Sequence, residues 1–382
     1  MSKQIYMDYA AASPVNPKVL QKMLPYYTQD FHNPSAIYLS GKAVSKDIEQ
    51  ARTDVARVLG AKPVEIIFTA GATEANNLAI VGLMQKYPDS EVLVSAIEHD
   101  SVIEPSKLFN NKQIKVKADG RVDLEHFRKS ITDKTVLVSV MFANNEIGVI
   151  SPIKKVAKIL DEVRQKRIKE GNKLPLFFHT DASQAPLYLD LHIDKLGVDM
   201  MSLNGGKIYG PKQSGCLYVR TGINLKPLIS GGGQERKLRS GTENVPNIIG
   251  FSEALLMAQG KHKNNSLEVV KLRDYFIESL ENKIDDTQFN GSLEYRLPNN
   301  IHITILGIDN ERMIMELDEK GILCAAGSAC SASSDAPSHV LTAIGISEKD
   351  AQSSLRFTIG KSTTKQEIDF VVTTLKEILS RQ

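Results

Sequence analysis

The sequence predicts an α/β protein, a mostly parallel β-sheet covered by helices on both faces, followed by a smaller region of different make-up. Three observations carry this. Short apolar runs recur between helical patterns through the first two-thirds of the chain. Those runs do not alternate with polar residues, as expected for strands buried on both faces. The last third breaks the rhythm, with two long helices ahead of its first strand. At 382 residues the chain has room for a large core and, at roughly 150 residues per domain, two or three domains.

Taken in order, the expected strands of the first part are 65–69, 91–96, 135–142 and 176–180, all dense in Val, Ile and Phe. Between them, residues 41–59 place Val44, Ile48, Ala51, Val55 and Leu59 on one stripe, and 153–169 do the same with Val156, Ile159, Leu160 and Val163. Repeated strand–helix order implies crossover units with helices on both sides. A domain change is placed near 247–251. Helices near 247–259 and 267–284 follow, separated by a polar turn at 261–265, then a strand at 300–305, a helix near 311–320 and a strand at 355–359. The final helix opens with Thr364-Lys-Gln-Glu367, a capping-box pattern, and carries Ile368, Val371, Leu375 and Ile378 on one face.

Composition excludes several classes. Lys plus Arg total 47 and Asp plus Glu 45, so the net charge is +2, without the excess of a dedicated nucleic-acid or membrane-surface binder. The chain is 42% hydrophobic and 24% charged, which suits a soluble globular protein and not a disordered one. No apolar run approaches a membrane span, and the N-terminus lacks the apolar stretch of a signal peptide. Three cysteines, Cys216, Cys324 and Cys330, are too few and too odd for a disulfide framework and suit the reducing cytoplasm. No Cys-x-x-Cys or paired His spacing is present, so no metal is expected.

The chemistry is expected at the carboxyl ends of the strands, where open parallel sheets bind ligands. Gly71-Ala-Thr-Glu74 opens a helix and offers free backbone amides beside a hydroxyl, a phosphate cradle or, taken singly, a helix cap. Glu98-His99 and Asn144-Asn-Glu146 follow two further strands. Asp181 ends a run as apolar as Leu-Phe-Phe-His-Thr, where a carboxylate is costly unless paired. Lys207 sits behind two glycines and ahead of Ile208 and Tyr209. Alone it reads as a loop lysine, but desolvation there would free its amine for a Schiff base. A carboxylate, a lysine and a phosphate cradle together are what pyridoxal 5′-phosphate requires. Residues 230–242 form a Gly- and Arg-rich loop, and 326–337 a small-residue loop holding Cys330. Cys216 and Cys324 both lie in strand-like apolar patterns and read as buried core thiols. Arg356 lies within an apolar strand, where a guanidinium wants a carboxylate from the protein or from a substrate.

These segments, with Asn33-Pro-Ser35, Asn144-Asn-Glu-Ile-Gly148, Asp181-Ala-Ser-Gln184, Lys207-Ile-Tyr-Gly-Pro-Lys212, Arg239-Ser-Gly-Thr242, Gly327-Ser-Ala-Cys330 and Ser354-Leu-Arg-Phe357, occur in one order along the chain. Together they resemble the cysteine desulfurases of the class V aminotransferase family, nearly end to end. The resemblance implies fold type I of the pyridoxal-phosphate-dependent transferases. It implies a mostly parallel seven-stranded sheet domain over 15–250 and a smaller α+β domain from 1–14 and 251–382 that carries the Cys330 loop.

It also implies roles. Lys207 would hold the cofactor aldehyde and move the substrate Cα proton; Asp181 would pair with the ring nitrogen; His99 would stack on the ring and relay protons. Gln184 would bond the ring hydroxyl; Ala72, Thr73 and Asn204 would hold the phosphate, with Thr242 reaching that of a neighbouring subunit in a homodimer. Arg356, Asn145 and Asn33 would bind the carboxylate of L-cysteine, and Cys330 would accept its sulfur as a persulfide. A sulfur-acceptor protein, an iron–sulfur scaffold or a tRNA-thiolation protein, follows as partner, with no membrane and no direct nucleic-acid contact. The alternatives are sulfur supply for DNA phosphorothioation, a selenocysteine lyase, an aminotransferase, or a weakly catalytic partner-binding scaffold. The chain departs from the family pattern before the lysine, where Ser-Gly-His-Lys is replaced by Asn204-Gly-Gly-Lys207. Gly206 offers backbone alone, so weaker cofactor binding is expected.

Overall fold

The computed structural model describes residues 4–327 and 337–381. In chain order its strands are β1 (Ile5–Tyr6), β2 (Ile66–Thr69), β3 (Glu91–Ser95), β4 (Asn110–Ile114), β5 (Thr135–Ser139) and β6 (Phe177–Asp181), then β7 (Met200–Asn204), β8 (Gly215–Val219), β9 (Thr287–Phe289), β10 (Asn300–Ile305), β11 (Ile322–Leu323) and β12 (Ser354–Thr358). Seven of these form one sheet ordered β2-β8-β7-β6-β5-β3-β4. The β4–β3–β5–β6–β7 pairs are parallel, and β8 runs antiparallel to both β7 and β2. The carboxyl ends of β2, β3, β5, β6 and β7 therefore lie along one edge. Strands β2, β3, β5 and β8 are buried at every residue, which explains their unbroken apolar runs.

Two expectations for this sheet are adjusted. The apolar run 135–142 is strand only to Ser139; beyond it Val140 and Phe142 still donate to the His179 and Asp181 carbonyls as the chain leaves the sheet. Strand β4, Asn-Asn-Lys-Gln-Ile, was not anticipated, because an edge strand that pairs with β3 alone stays polar and mostly exposed.

The helix Leu39–Leu59 buries the expected stripe and ends at Gly60, whose φ of 70° closes its last turn. In the last third, β12-β10-β9 form a separate antiparallel sheet, and β1 pairs in parallel with β11. The chain's beginning is thus held against its final third. The terminal helix Lys365–Leu379 has the full capping box, with Thr364 and Glu367 bonding reciprocally. The polar turn expected at 261–265 is instead the first turn of the helix His262–Lys283. Its polar side chains are used to dock it: Ser266 Oγ donates to the Tyr188 carbonyl at 2.8 Å and His262 Nδ1 to that of Gln259 at 2.7 Å.

Cys216 is buried in β8 as expected. Cys324 is only half-buried and stands one residue past β11, which is too short to enclose it. Among the described residues, no helix is long and apolar enough to cross a membrane.

Candidate active site

Asp181 is the last residue of β6, 5% exposed, and both of its oxygens are held. Oδ1 accepts from the Ser183 amide at 2.8 Å and Oδ2 from Asn76 Nδ2 at 2.7 Å. The second Asn76 proton goes to Ser101 Oγ at 2.8 Å, and that oxygen lies 2.9 Å from His99 Nδ1. The Ser101 amide also donates to His99 Nδ1 at 3.0 Å. A backbone amide can only donate, so Nδ1 is an acceptor and the neutral ring carries its proton on Nε2. One continuous hydrogen-bonded path therefore runs from Asp181 through Asn76 and Ser101 to His99.

Two buried titratable groups lie beneath this path. His179, on β6, is pushed down to about 4 by burial, with Asp181 pulling the other way; its ring nitrogens meet Ser139 Oγ at 2.8 Å and Ser202 Oγ at 3.0 Å. Glu98 is fully buried, and its carboxyl is raised well above the usual range by desolvation, reinforced by Asp181. That shift disfavours a second negative charge beside Asp181.

Lys207 ends a short 3₁₀ turn, Gly205–Lys207, that follows β7 directly. Its Nζ donates to the Ala10 and Ala11 carbonyls at 2.8 and 2.5 Å, and Gln184 Nε2 donates to the same Ala10 carbonyl at 3.0 Å. Ser13 bonds the Gly206 carbonyl through both its amide and its hydroxyl, at 3.0 and 3.1 Å. The N-terminal segment is thereby pinned over the lysine. Asn204 Oδ1 accepts from the Gly206 amide at 3.0 Å, leaving its amide protons to donate.

The helix Ala72–Met84 begins at Gly71, whose φ of 112° is a conformation glycine takes most easily, and no side chain caps it. Its first amides are free to meet an anion. Glu74 braces this turn, accepting from the Ala70 amide at 2.8 Å and from Arg239 Nε at 2.9 Å. Ala72 is buried, and Thr73 faces solvent.

Arg356, on β12, is 1% exposed. One arm of its guanidinium donates to Asp8 Oδ1 at 2.7 Å and the other to the Asn145 carbonyl at 3.0 Å. The protein itself supplies the carboxylate that the buried arginine calls for. Asn33 and Thr242 are exposed; Asn33 Oδ1 caps the Ser35 amide at 2.9 Å. Among the described residues no hydrogen bond ties Asn33, Thr73 or Thr242 to the Asp181–His99 path. Cys330 lies outside the described residues.

Sequence reasoning brought Asp181, His99, Lys207 and Gln184 to this region but missed Asn76, Ser101 and Asp8. Asn76 left a faint trace, the first of two adjacent amides ahead of the apolar Leu78–Met84 stretch, and it is completely buried while Asn77 is not. Ser101 and Asp8 carry no comparable signal in the sequence.

The family profile described as Aminotransferase class-V matches residues 5–371. The chain belongs to this family.

Among relatives of this class-V aminotransferase, "Cysteine desulfurase IscS" of Dictyoglomus turgidum is 39% identical over 388 residues, covering 100% of this chain and 96% of the relative. The protein of the same name from Methanosarcina thermophila is 40% identical over 387 residues, covering 100% and 93%. Of solved structures, a "NIFS-LIKE PROTEIN" superposes with a TM-score of 0.90 at 33% identity over the whole of both chains. "SspA in complex with cysteine" gives 0.79 at 34% identity, covering 94% of this chain and 99% of that one. The cofactor of such class-V enzymes is pyridoxal 5′-phosphate, and the donor set here fits it. The uncapped amides at Ala72 suit its phosphate, the buried Asp181 its ring nitrogen, and the Lys207 amine its aldehyde.

Proposed function

We propose that this chain is a cysteine desulfurase that releases L-alanine from L-cysteine and takes the sulfur onto Cys330. The observation that carries the reading is the path from buried Asp181 through Asn76 and Ser101 to His99, one strand away from Lys207. Pyridoxal 5′-phosphate, when bound, supplies an electron sink adjacent to the substrate Cα.

Asp181, fixed at both oxygens, would keep a proton at the ring nitrogen. Lys207 would hold the aldehyde, and its Nζ would move the substrate Cα proton. Gln184 would serve the ring hydroxyl. His99 would lie against the ring with its proton on Nε2. Ala72, Thr73, Asn204 and the backbone of Gly206 hold the phosphate, and Thr242, solvent-facing in the single chain, reaches the site of a second copy in a homodimer. Arg356, with Asn145 and Asn33, binds the substrate carboxylate, in competition with Asp8. The Cys330 thiolate attacks the substrate sulfur. An S–S bond forms and the C–S bond breaks; the C–S electron pair stays with the three-carbon skeleton, which takes up a proton and leaves as L-alanine.

The division of labour follows the sheets, with 15–250 built on the seven-stranded sheet and 1–14 with 251–382 forming the smaller domain. The persulfide passes to an acceptor protein of iron–sulfur assembly or tRNA thiolation in the cytoplasm. The test is Cys330→Ser, which should abolish sulfide and alanine release from cysteine while the cofactor's visible absorbance persists; full activity in that variant refutes the persulfide route. Lys207→Ala should lose that absorbance. The Gly206 departure supports a second reading, a weakly catalytic partner-binding scaffold. A cofactor-free dimer that still captures a sulfur-carrier protein would favour it.

A further inference from the structure

Residues 338–344 return to the main sheet beside the site. Val340, Leu341 and Ile344 pack with Ile97, Met141, Ile147 and Val149 in a small apolar cluster separate from the main core. Two polar contacts stand at the edge of this joint. His339 Nε2 donates to the Glu98 carbonyl at 2.9 Å, and Ser338 Oγ donates to Glu146 Oε2 at 2.6 Å.

Both contacts fall next to site residues. The Glu98 carbonyl belongs to the peptide that enters His99, so turning that peptide would swing the imidazole. The neighbouring Ile97 carbonyl is held by Asn144 Nδ2 at 2.9 Å, and the Glu98 side chain accepts from the Met141 amide at 2.5 Å. Glu146 is 2% exposed and directly follows Asn145, whose carbonyl receives Arg356. Its own carbonyl takes Asn300 Nδ2 at 2.7 Å. The pair 338–339 thus grips, within two residues, the backbone on which His99 and Asn145 are mounted.

We propose that His339 and Ser338 are positioning residues that fix the orientation of His99 and of the Asn145–Glu146 turn through the Glu98 carbonyl and the Glu146 carboxylate. The inference rests on the desulfurase reading for its kinetic consequence, though not for the contacts themselves. The hydrogen bond does the positioning and the ring of His339 is incidental. A buried carbonyl left without its donor lets the peptide rotate in search of another partner.

The experiment uses the holoenzyme and the variants His339→Phe, His339→Gln and Ser338→Ala. Phe keeps the ring and removes the donor; Gln places an amide nitrogen near the position of Nε2 and keeps it. Hydrogen exchange by mass spectrometry reads peptides spanning 96–103 and 143–148, and cysteine turnover is measured alongside. His339→Phe should speed exchange in 96–103 and lower kcat by roughly three- to tenfold, with KM for cysteine little changed. Ser338→Ala should speed exchange in 143–148, and His339→Gln should restore most of both readouts. Wild-type exchange and kcat in His339→Phe overturn the proposal, as does a Gln variant that behaves like Phe. Wild-type protein that turns over no cysteine, yet shows the same exchange differences among variants, overturns the assigned reaction and upholds the positioning.

Discussion

Replacing Gly206 with histidine tests the cofactor reading most directly. A Cβ at Gly206 would stand 3.5 Å from Asn204 Oδ1 and 3.6 Å from Lys212 Cγ, ordinary contact distances. Gly206 is also absent from the positive-φ positions, so a side chain there brings no backbone strain. Its amide and carbonyl bonds, to Asn204 and to Ser13, are backbone contacts that the substitution keeps. The new imidazole adds one hydrogen bond to a dianionic phosphate. A hydrogen bond to a charged group is worth about 1.5–3 kcal/mol, so the cofactor dissociation constant should fall by roughly tenfold to a hundredfold. The assay is titration of apoprotein with pyridoxal 5′-phosphate, followed by visible absorbance, for wild type and Gly206→His, with circular dichroism to confirm equal folding. An unchanged or weaker dissociation constant in a folded variant would refute the placement of the phosphate beside Gly206.

Arg52→Met should destabilise the protein by about 3–5 kcal/mol, read as a lower urea midpoint. Arg52 and Glu235 are both buried and paired at 2.7 Å through two parallel contacts, and the change strands the Glu235 carboxylate. Acid should weaken the fold earlier than carboxylate titration explains. Burial lowers His179 to about 4 and His302 to about 3, while in the unfolded chain both sit near the ordinary histidine value of about 6.5. Below pH 6.5 the unfolded chain therefore takes up protons that the folded one refuses. Stability drops as pH falls through the window from 6.5 to about 4, by up to roughly 1.4 kcal/mol per unit for each histidine. Urea midpoints at pH 7.5, 6.0 and 5.0 check this, and a flat profile between 6.5 and 5 contradicts it. Alkylation of native protein at pH 7.5 should spare Cys216, which is fully buried in β8 and whose thiol burial raises. Rapid labelling of Cys216, located by peptide mapping, would contradict that burial. Asp8→Asn should lower KM for cysteine several-fold by freeing one arm of Arg356; a raised KM would show that Asp8 orients the guanidinium rather than competing for it.

Much of the fold is legible in the chain because burial on both faces forces unbroken apolar runs. A polar residue at the end of such a run stands out, as Asp181 does, whereas Lys207 is marked by the two glycines before it and the apolar residues after it. The final helix was equally clear, since its capping box and stripe are contained within one short segment. Strand β4 was not, because an edge strand needs only backbone pairing and carries no apolar signal.

What the sequence determined alone was the set of chemical groups and their place at strand ends. Tertiary structure decided their partners. Asn76 meets Asp181 across 105 residues, Asp8 meets Arg356 across 348, and His339 meets Glu98 across 241. Periodicity reports which face of an element is buried, but a polar side chain's partner depends on which distant element packs against that face. A buried carboxylate or guanidinium must find such a partner to be stable at all. The sequence could therefore demand a partner for Asp181 and Arg356, while only the folded chain could choose Asn76 and Asp8.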